Sequence, residues 1–170
     1  ERFKTLDGVE RTLTRGDLMI QSRGRSVALA GVMGGLETEV NDATTALLLE
    51  SANFDPATIR KTAKKLGLRS EASARFEKSL DPTNTVLAIQ RFVHLARPMY
   101  PRLKLTSRLS DCYPNPGEPL TVRVNPRHVV RTIGRDVPLD EARRLLTPIG
   151  FKVTEHDTHW TVDVPSFRAT

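Results

Sequence analysis

Glu50 is the residue whose type and position most directly suggest chemistry. It ends an apolar run, Leu47 to Leu49, and Ala52 follows two residues later. If this segment is a strand, alternation places Leu48, Glu50 and Ala52 on one face. A covered carboxylate on such a face is costly unless hydrogen-bond donors surround it, and carboxylates so placed often mark a pocket. An ordinary exposed glutamate at a strand end explains the pattern equally well.

The segment GVMGG, Gly31 to Gly35, offers bare backbone to a neighbouring surface. It lacks the Lys-Ser or Lys-Thr pair of a phosphate-binding P-loop, and it lacks the GxGxxG spacing of a dinucleotide fold. Because this segment carries few side chains, another surface could approach it closely, but strand packing or a tight turn is the simpler explanation. The segment therefore predicts a close approach or a turn rather than a nucleotide site.

Positive charge is concentrated between residues 57 and 78. This window holds seven basic and two acidic residues, a net charge of +5, while the whole chain carries +6. A positive field this local favours a polyanion, with nucleic acid as the first candidate, although charge runs usually form a solvated helix face. The candidate phosphate-binding residues are Arg60, Lys61, Lys64, Lys65, Arg69, Arg75 and Lys78.

The histidines and the cysteine predict no further site. His156 and His159 flank Asp157, but a polar hairpin turn explains them better than a metal site, which would need another ligand nearby. Cys112 is the only cysteine, so a disulfide framework is excluded and the chain suits a reducing cytoplasm. No apolar run approaches about 18 residues. We predict no metal ligand, no membrane association and a cytoplasmic location.

The elements that must position these residues begin with strands. LDGV and SRGR predict turns. SVALAGVMGG predicts a buried strand that runs into a glycine-rich end, and TTALLLESANF predicts a second buried strand. A helix follows, because Asp55 can cap it, Pro56 fits its first position and Gly67 can end it. The other predicted elements are a short helix after Ser70, a helix at 82–96 that ends before Pro98, and a closing strand at 101–109.

A domain junction is predicted between Cys112 and Leu120, where three prolines and a glycine interrupt regular structure. We expect a first domain at 1–113, a linker at 114–119 and a second domain at 120–170. The second part contains a strand, a helix that Asn125 can cap and Gly134 can end, a second helix and a hairpin. This order is similar to that of winged-helix modules. The predicted fold class is α+β: a β-rich module with flanking helices, followed by a small winged-helix-like module.

Two long segments carry a specific resemblance. ALAGVMGG, followed by NDATTALLLESANFDPATIRKTAKKLGLRSEASARFEKSLDP, resembles the later part of the B3/B4 editing module of bacterial phenylalanyl-tRNA synthetase β subunits. VRVNPRHVVRTIGRDVPLDEARRLLTPIGFKVTEHDTHWTVDVPSFR resembles the B5 module that follows it in that family. The resemblance covers nearly all 170 residues in the family's order. It implies that 1–113 is the C-terminal part of B3/B4 and that 120–170 is B5.

The resemblance implies hydrolytic editing of tyrosine mischarged onto phenylalanine tRNA. The family's editing-pocket residues carry over to Gly34, Glu50, Ser70 and Ala72, with Glu50 accepting a hydrogen bond from the tyrosine hydroxyl. Ser70 stands where the family usually has threonine, which keeps the hydroxyl and loses a methyl group. We therefore expect Glu50 to be substantially buried, with Gly34 and Ala72 beside it in one pocket.

The resemblance also implies partners and cofactors. The partners are tRNA and a synthetase α subunit in an (αβ)2 heterotetramer; the whole enzyme needs ATP and magnesium, and no cofactor belongs to this fragment. Because the chain lacks an initiator methionine and begins after the family's first editing-pocket residues, we expect a fragment of a phenylalanine–tRNA ligase that neither aminoacylates nor edits alone. The alternative is a non-catalytic module that binds nucleic acid or scaffolds a subunit interface.

Overall fold

The structure is a computed structural model that describes residues 1–168. The chain divides into two compact units, Glu1–Leu103 and a second that begins at Lys104. The described residues 100–120 contain no helix or strand. The junction predicted at 114–119 falls inside this irregular segment, and its assignment as a linker stays a prediction.

The strands of the first unit form short antiparallel ladders. β1 pairs with β2, and β4 lies between β3 and β5. The predicted turns are present: Asp7 and Gly8 lie between β1 and β2, and Arg23 and Gly24 join β3 to β4 with φ of 50° and 76°. The strands are β1 Arg2–Lys4, β2 Glu10–Thr12, β3 Met19–Ser22, β4 Arg25–Leu29 and β5 Met33–Gly34.

Three helices follow in the first unit: α1 Pro56–Leu66, α2 Glu71–Phe76 and α3 Asn84–Met99. A short 3-10 helix, Leu36–Thr38, precedes them. The prediction that the third helix ends before Pro98 is wrong, since Pro98 lies inside its last turn. The disruption by Pro98 is tolerated there because only Met99 follows it, and the Tyr100 N–H then closes the helix on the carbonyl of Ala96 at 2.8 Å.

Two predicted strands are not formed. The described segments 44–54 and 101–109 contain no strand, and Leu48 is 94% exposed. A strand is stable only when its backbone groups are paired, and no described strand pairs with either segment. In SVALAGVMGG the predicted strand is present as β4, and its glycine-rich end begins with a turn at Ala30 to Val32, in which Gly31 has φ of 64°.

The core of the first unit is built from the strand pairs and one face of α1. Its buried side chains are apolar, and in sequence they lie both before and after the irregular segment 41–55. Burying each large aliphatic side chain of this kind contributes roughly 1.5–3 kcal/mol. The buried members are Phe3, Leu13, Leu29, Val32, Ile59, Ala63 and Leu68.

The second unit confirms the predicted order of strand, helix, helix and hairpin. Its antiparallel sheet has the order β6-β8-β7 and packs on α4 and α5 around Trp160. Asn125 caps α4 and Gly134 ends it with φ of 84°, as their sequence positions predict. The elements are β6 Thr121–Val124, α4 Pro126–Ile133, α5 Leu139–Leu146, β7 Lys152–Glu155 and β8 Trp160–Asp163.

The predicted α+β fold class is confirmed by this mixture of helices and antiparallel sheets. Among the residues that the structure describes, no helix combines the length and apolarity needed to cross a membrane.

Candidate functional site

Helix α1 presents the basic surface, and its ends are set by local sequence. The Asp55 carboxylate accepts a hydrogen bond from the Thr58 N–H at 2.7 Å, and Pro56 occupies the first helical position. Gly67 ends the helix with φ of 64°, a left-handed conformation that glycine adopts without steric cost. Because Ile59 is buried on the inner face, the lysines and the arginine of α1 lie on the exposed side.

Two of the predicted phosphate-binding arginines are held by interactions within the chain. Arg60 donates from Nη2 to the backbone carbonyl of Glu77 at 2.7 Å. Arg75 forms an ion pair with Glu71, one turn earlier in α2, with 2.7 Å between nitrogen and oxygen. The first interaction links α1 to the end of α2, so Arg60 has a structural role in addition to any interaction with a ligand.

Lys65 forms an ion pair with Asp17, whose side chain is only 1% exposed. The same carboxylate accepts from the Thr14 N–H at 2.8 Å and from the Thr62 hydroxyl at 3.2 Å. Burial by itself raises the pKa of Asp17, but the Lys65 ammonium and the Thr14 donors outweigh it and hold that pKa below its usual range. Asp17 thus anchors α1 to the loop before β3 and engages one of the residues predicted to bind tRNA.

The other four predicted cations are exposed and have no hydrogen-bond or ion-pair partner within the described part of the chain. They are Lys61, Lys64, Arg69 and Lys78. Lys61 and Lys64 are three residues apart on α1, so they lie on the same side of the helix. An exposed pair of this kind can bind successive phosphates of a polyanion, and a phosphate-binding role for all seven residues stays a prediction.

The segment Gly31 to Gly35 packs tightly against its surroundings. A side-chain carbon at Gly31 would lie 3.0 Å from Ile59 and Phe54, and one at Gly34 would lie 3.1 Å from Leu6. The simpler of the two explanations, strand packing with a tight turn, therefore describes this segment, and its neighbours are the protein's own side chains.

Ser70 connects this segment to α2. Its hydroxyl donates to the Val32 carbonyl at 2.5 Å and accepts from the Ser73 N–H at 3.1 Å. The Ser73 hydroxyl in turn accepts from the Ser70 N–H at 3.0 Å, which completes a capping box. Ala72, in the first turn of α2, is half-buried. The structure thus joins two of the sequence-predicted motifs through one hydroxyl.

Glu50 is not part of the packed region around Ser70 and Val32. The expectation that its side chain is substantially buried is wrong, since it is exposed within the irregular segment 41–55. Partial desolvation nevertheless raises the pKa of the Glu50 carboxyl above its ordinary value. The carboxylate stays accessible because the predicted strand around it is unpaired and no described residue bonds to it.

The histidine pair forms part of the β7–β8 hairpin. The rings of His156 and His159 stack with centroids 4.7 Å apart. Burial, with the positive charge of Arg123 and the neighbouring His156 ring, lowers the pKa of His159. The described residues contain no group of three or more side chains that could hold a metal ion.

Asp17, which pairs with Lys65 on the basic surface of α1, was not predicted from the sequence. A local signal existed, because Thr14 and Asp17 are spaced for the short turn in which Asp17 accepts the Thr14 N–H. The bonds of Asp17 with Thr62 and Lys65 span 45 and 48 residues, and no local pattern predicts such a separation.

Comparison with known families identifies both units. A family model described as the B3/4 domain matches residues 1–99, more than half of the chain. The chain belongs to the B3/4 domain family. A model described as the tRNA synthetase B5 domain matches residues 122–169. The order of B3/4 followed by B5 is the order that the sequence resemblance predicts.

The B3/4 and B5 domains together are similar to proteins named phenylalanine–tRNA ligase beta subunit. Identity over 169 residues is 41% with that of Geobacter sulfurreducens, 40% with that of Oleidesulfovibrio alaskensis and 37% with that of Clostridium tetani. Each comparison covers 99% of this chain but only 21% of the relative. The resemblance to this family is confirmed, and the chain spans about a fifth of the length of these relatives.

Proposed function

We propose that this chain is part of a phenylalanine–tRNA ligase β subunit and contributes to tRNA binding and to hydrolytic editing of tyrosine mischarged onto phenylalanine tRNA. The observation that carries the proposal is the similarity of the whole chain, through both domains, to proteins of that name. The bond from the Ser70 hydroxyl to the Val32 carbonyl supports it, because this bond brings two of the proposed pocket segments together.

The proposed chemistry needs no protein nucleophile. An aminoacyl ester is already activated, so positioning a water molecule beside it lowers the barrier substantially. Selectivity would come from the tyrosine hydroxyl, since a pocket built to bind a buried hydroxyl rejects an analogue without one by about 10⁴–10⁵. Glu50 is the proposed acceptor of that hydroxyl. Its exposure in this chain means that the pocket requires further segments of the whole subunit to enclose it.

The similarity to these relatives also suggests properties of the whole ligase. Aminoacylation, an α subunit in an (αβ)2 assembly, ATP, magnesium and a cytoplasmic location would belong to the whole ligase. The 170-residue chain alone would supply tRNA-binding residues and part of the editing pocket, with Lys61 and Lys64 facing the acceptor end.

The test uses the full-length β subunit assembled with its α subunit and carrying Glu50→Ala, which removes the proposed acceptor. A hydrogen bond to a charged acceptor is worth about 1.5–3 kcal/mol, so discrimination between tyrosyl-tRNA and phenylalanyl-tRNA in deacylation should fall by about 10- to 150-fold. Glu118→Ala, at an exposed glutamate of the second unit, is the matched control. If the Glu50 variant discriminates as the wild type does, Glu50 is not the hydroxyl acceptor.

A non-catalytic nucleic-acid-binding module is the second candidate, and the four unpartnered cations favour it. Deacylation of tyrosyl-tRNA by the purified chain and by the intact enzyme separates the two candidates. Under the editing proposal the intact enzyme deacylates and the chain alone does not, because it holds only part of the pocket. An intact enzyme that binds tRNA but spares tyrosyl-tRNA would favour the binding module.

A further inference from the structure

Glu50 lies in a stretch of chain with few fixed points. Within the described part of the chain, residues 45–52 take part in no hydrogen bond. Before this stretch the nearest bonded residue is Thr44, which bonds to Asn41 in a local turn. After it the nearest is Asn53, three residues from Glu50. The hydrogen bond closest in sequence to the Glu50 carboxylate is therefore the one that Asn53 makes.

The Asn53 side chain crosses to the loop that follows α2. Its Nδ2 donates to the backbone carbonyl of Leu80 at 2.9 Å, a bond that joins residues 27 apart in sequence. Asn53 is exposed, so the bond does not satisfy a polar group that the core has buried. Exposed hydrogen bonds add little to folding, because water can replace either partner. The main consequence of this bond is where it places the chain.

Phe54 fixes the direction of the chain at the same point. Its ring packs edge-on against Phe76 at the end of α2, with centroids 5.0 Å apart. It also lies so close to Gly31 that a side-chain carbon there would be 3.0 Å from it. Asp55 then caps α1. Three successive residues, Asn53 to Asp55, are thus held by α2, by the turn after β4 and by α1.

The loop that accepts the Asn53 bond is itself held in place. Arg60 of α1 donates to the carbonyl of Glu77 at 2.7 Å, three residues before Leu80. Asp81, the residue after Leu80, is only 9% exposed. Asn53 therefore bonds to an acceptor whose position is set by other contacts, and the bond can transmit that position to the segment before it.

The connection from Asn53 back to Glu50 is short. Three residues span at most about 11 Å even when the chain is fully extended. Glu50 is therefore confined to that distance from the point where Asn53 meets the loop after α2. Without the Asn53 bond, the end of the segment would be free to move, and Glu50 would move with it.

We propose that Asn53 is a positioning residue for the Glu50 carboxylate: its bond to the Leu80 carbonyl holds the segment so that the carboxylate can meet the tyrosine hydroxyl of the substrate. This role rests on the editing function proposed above. Asn53 acts through Glu50 and does not itself contact the substrate. Because tyrosine carries the hydroxyl and phenylalanine does not, releasing Asn53 should slow deacylation of tyrosyl-tRNA without a matching change for phenylalanyl-tRNA.

The test is a double-mutant cycle in the full-length β subunit assembled with its α subunit. It compares Asn53→Ala, Glu50→Ala and the variant with both changes. The net value of one hydrogen bond corresponds to a factor of about 2 to 12, so Asn53→Ala should lower discrimination between the two tRNAs in deacylation by up to that factor. In the Glu50→Ala background it should lower discrimination no further, because the acceptor that it positions is gone.

Two further variants complete the design. Asn53→Asp keeps the side-chain size but puts an oxygen where Nδ2 donates, so it should behave as Asn53→Ala does, and it carries the same cycle if the alanine variant fails to fold. Asn115→Ala removes an exposed asparagine that makes no hydrogen bond in the described part of the chain, and it should leave discrimination unchanged.

The outcomes separate this role from the proposed function. If Glu50→Ala lowers discrimination and the Asn53 variants do not, the positioning role is wrong and the role of Glu50 stands. If Asn53→Ala lowers discrimination equally with and without Glu50, its effect is a general structural one and the positioning role is also wrong. If Glu50→Ala leaves discrimination unchanged, the proposed function of Glu50 fails, and the positioning role fails with it.

Discussion

Replacing Ser70 with alanine tests whether one hydroxyl holds α2 against the glycine-rich turn. The substitution removes the bond to the Val32 carbonyl and the bond from the Ser73 N–H. Ser70→Thr keeps the hydroxyl and is the matched comparison. We expect the alanine variant to lower the free energy of unfolding of the first unit and the threonine variant to preserve most of it.

The magnitude follows from the two hydrogen bonds that the alanine variant cannot make. Loss of a helix N-cap costs about 1 kcal/mol. Val32 is only 2% exposed, so its carbonyl would be left buried and unpaired, at a further cost of about 1–3 kcal/mol. The combined loss is about 2–4 kcal/mol, or roughly a 30- to 900-fold rise in the opening equilibrium.

Amide hydrogen exchange is the suitable assay, because it resolves the first unit residue by residue. The amides of Ile59 and Leu68 report the core of that unit, since both side chains belong to it. Their exchange should accelerate in Ser70→Ala by the same factor as the opening equilibrium. Ser79→Ala removes an exposed hydroxyl and should leave the exchange rates unchanged.

Two results would refute this reasoning. If the free energy of opening from hydrogen exchange changes by less than about 0.5 kcal/mol in Ser70→Ala, the Val32 carbonyl finds another hydrogen-bond partner. A Ser70→Thr variant as destabilised as the alanine variant would show that side-chain shape, rather than the hydroxyl, determines the effect.

Three further predictions concern the same unit. The Asp17 pKa is depressed in the folded chain, so its contribution to stability is present above the ordinary value of 3.8 and is lost as pH falls through the folded pKa. In urea titrations, Asp17→Asn should therefore have a lower free energy of unfolding than the wild type at neutral pH, and it should lose less of that free energy on acidification. Neutralising Lys61 and Lys64 with glutamine should weaken tRNA binding and make the dependence of log affinity on log salt shallower by about 0.7–0.9 for each phosphate that the protein no longer neutralises. Gly35→Ala should destabilise the unit in the same titrations, because the new carbon would lie 2.7 Å from the Val27 carbonyl oxygen and cannot displace it cheaply.

Each of these predictions has an exposed control of the same type. Asp42→Asn should leave the stability at neutral pH unchanged, and paired Lys104→Gln and Lys152→Gln changes should preserve the salt slope. Gly117→Ala should be neutral, because a side-chain carbon there meets open space. Equal effects of test and control variants would remove the structural basis of the corresponding prediction.

The sequence by itself determined the features that depend on neighbouring residues. Asp55 and Gly67 delimit α1, and Asn125 and Gly134 delimit α4, because capping uses donors and acceptors within a few positions. The order of elements in the second unit and the family resemblance were also evident, since both depend on the linear pattern.

Only the tertiary structure decided which side chains are engaged. Asp17 and Lys65 are 48 residues apart in sequence, and Ser70 and Val32 are 38 apart. The exposure of Glu50 was equally inaccessible to local reasoning. A strand forms only where a partner supplies backbone hydrogen bonds, and an apolar run such as Leu47 to Leu49 specifies a preference for burial without supplying the surface that buries it.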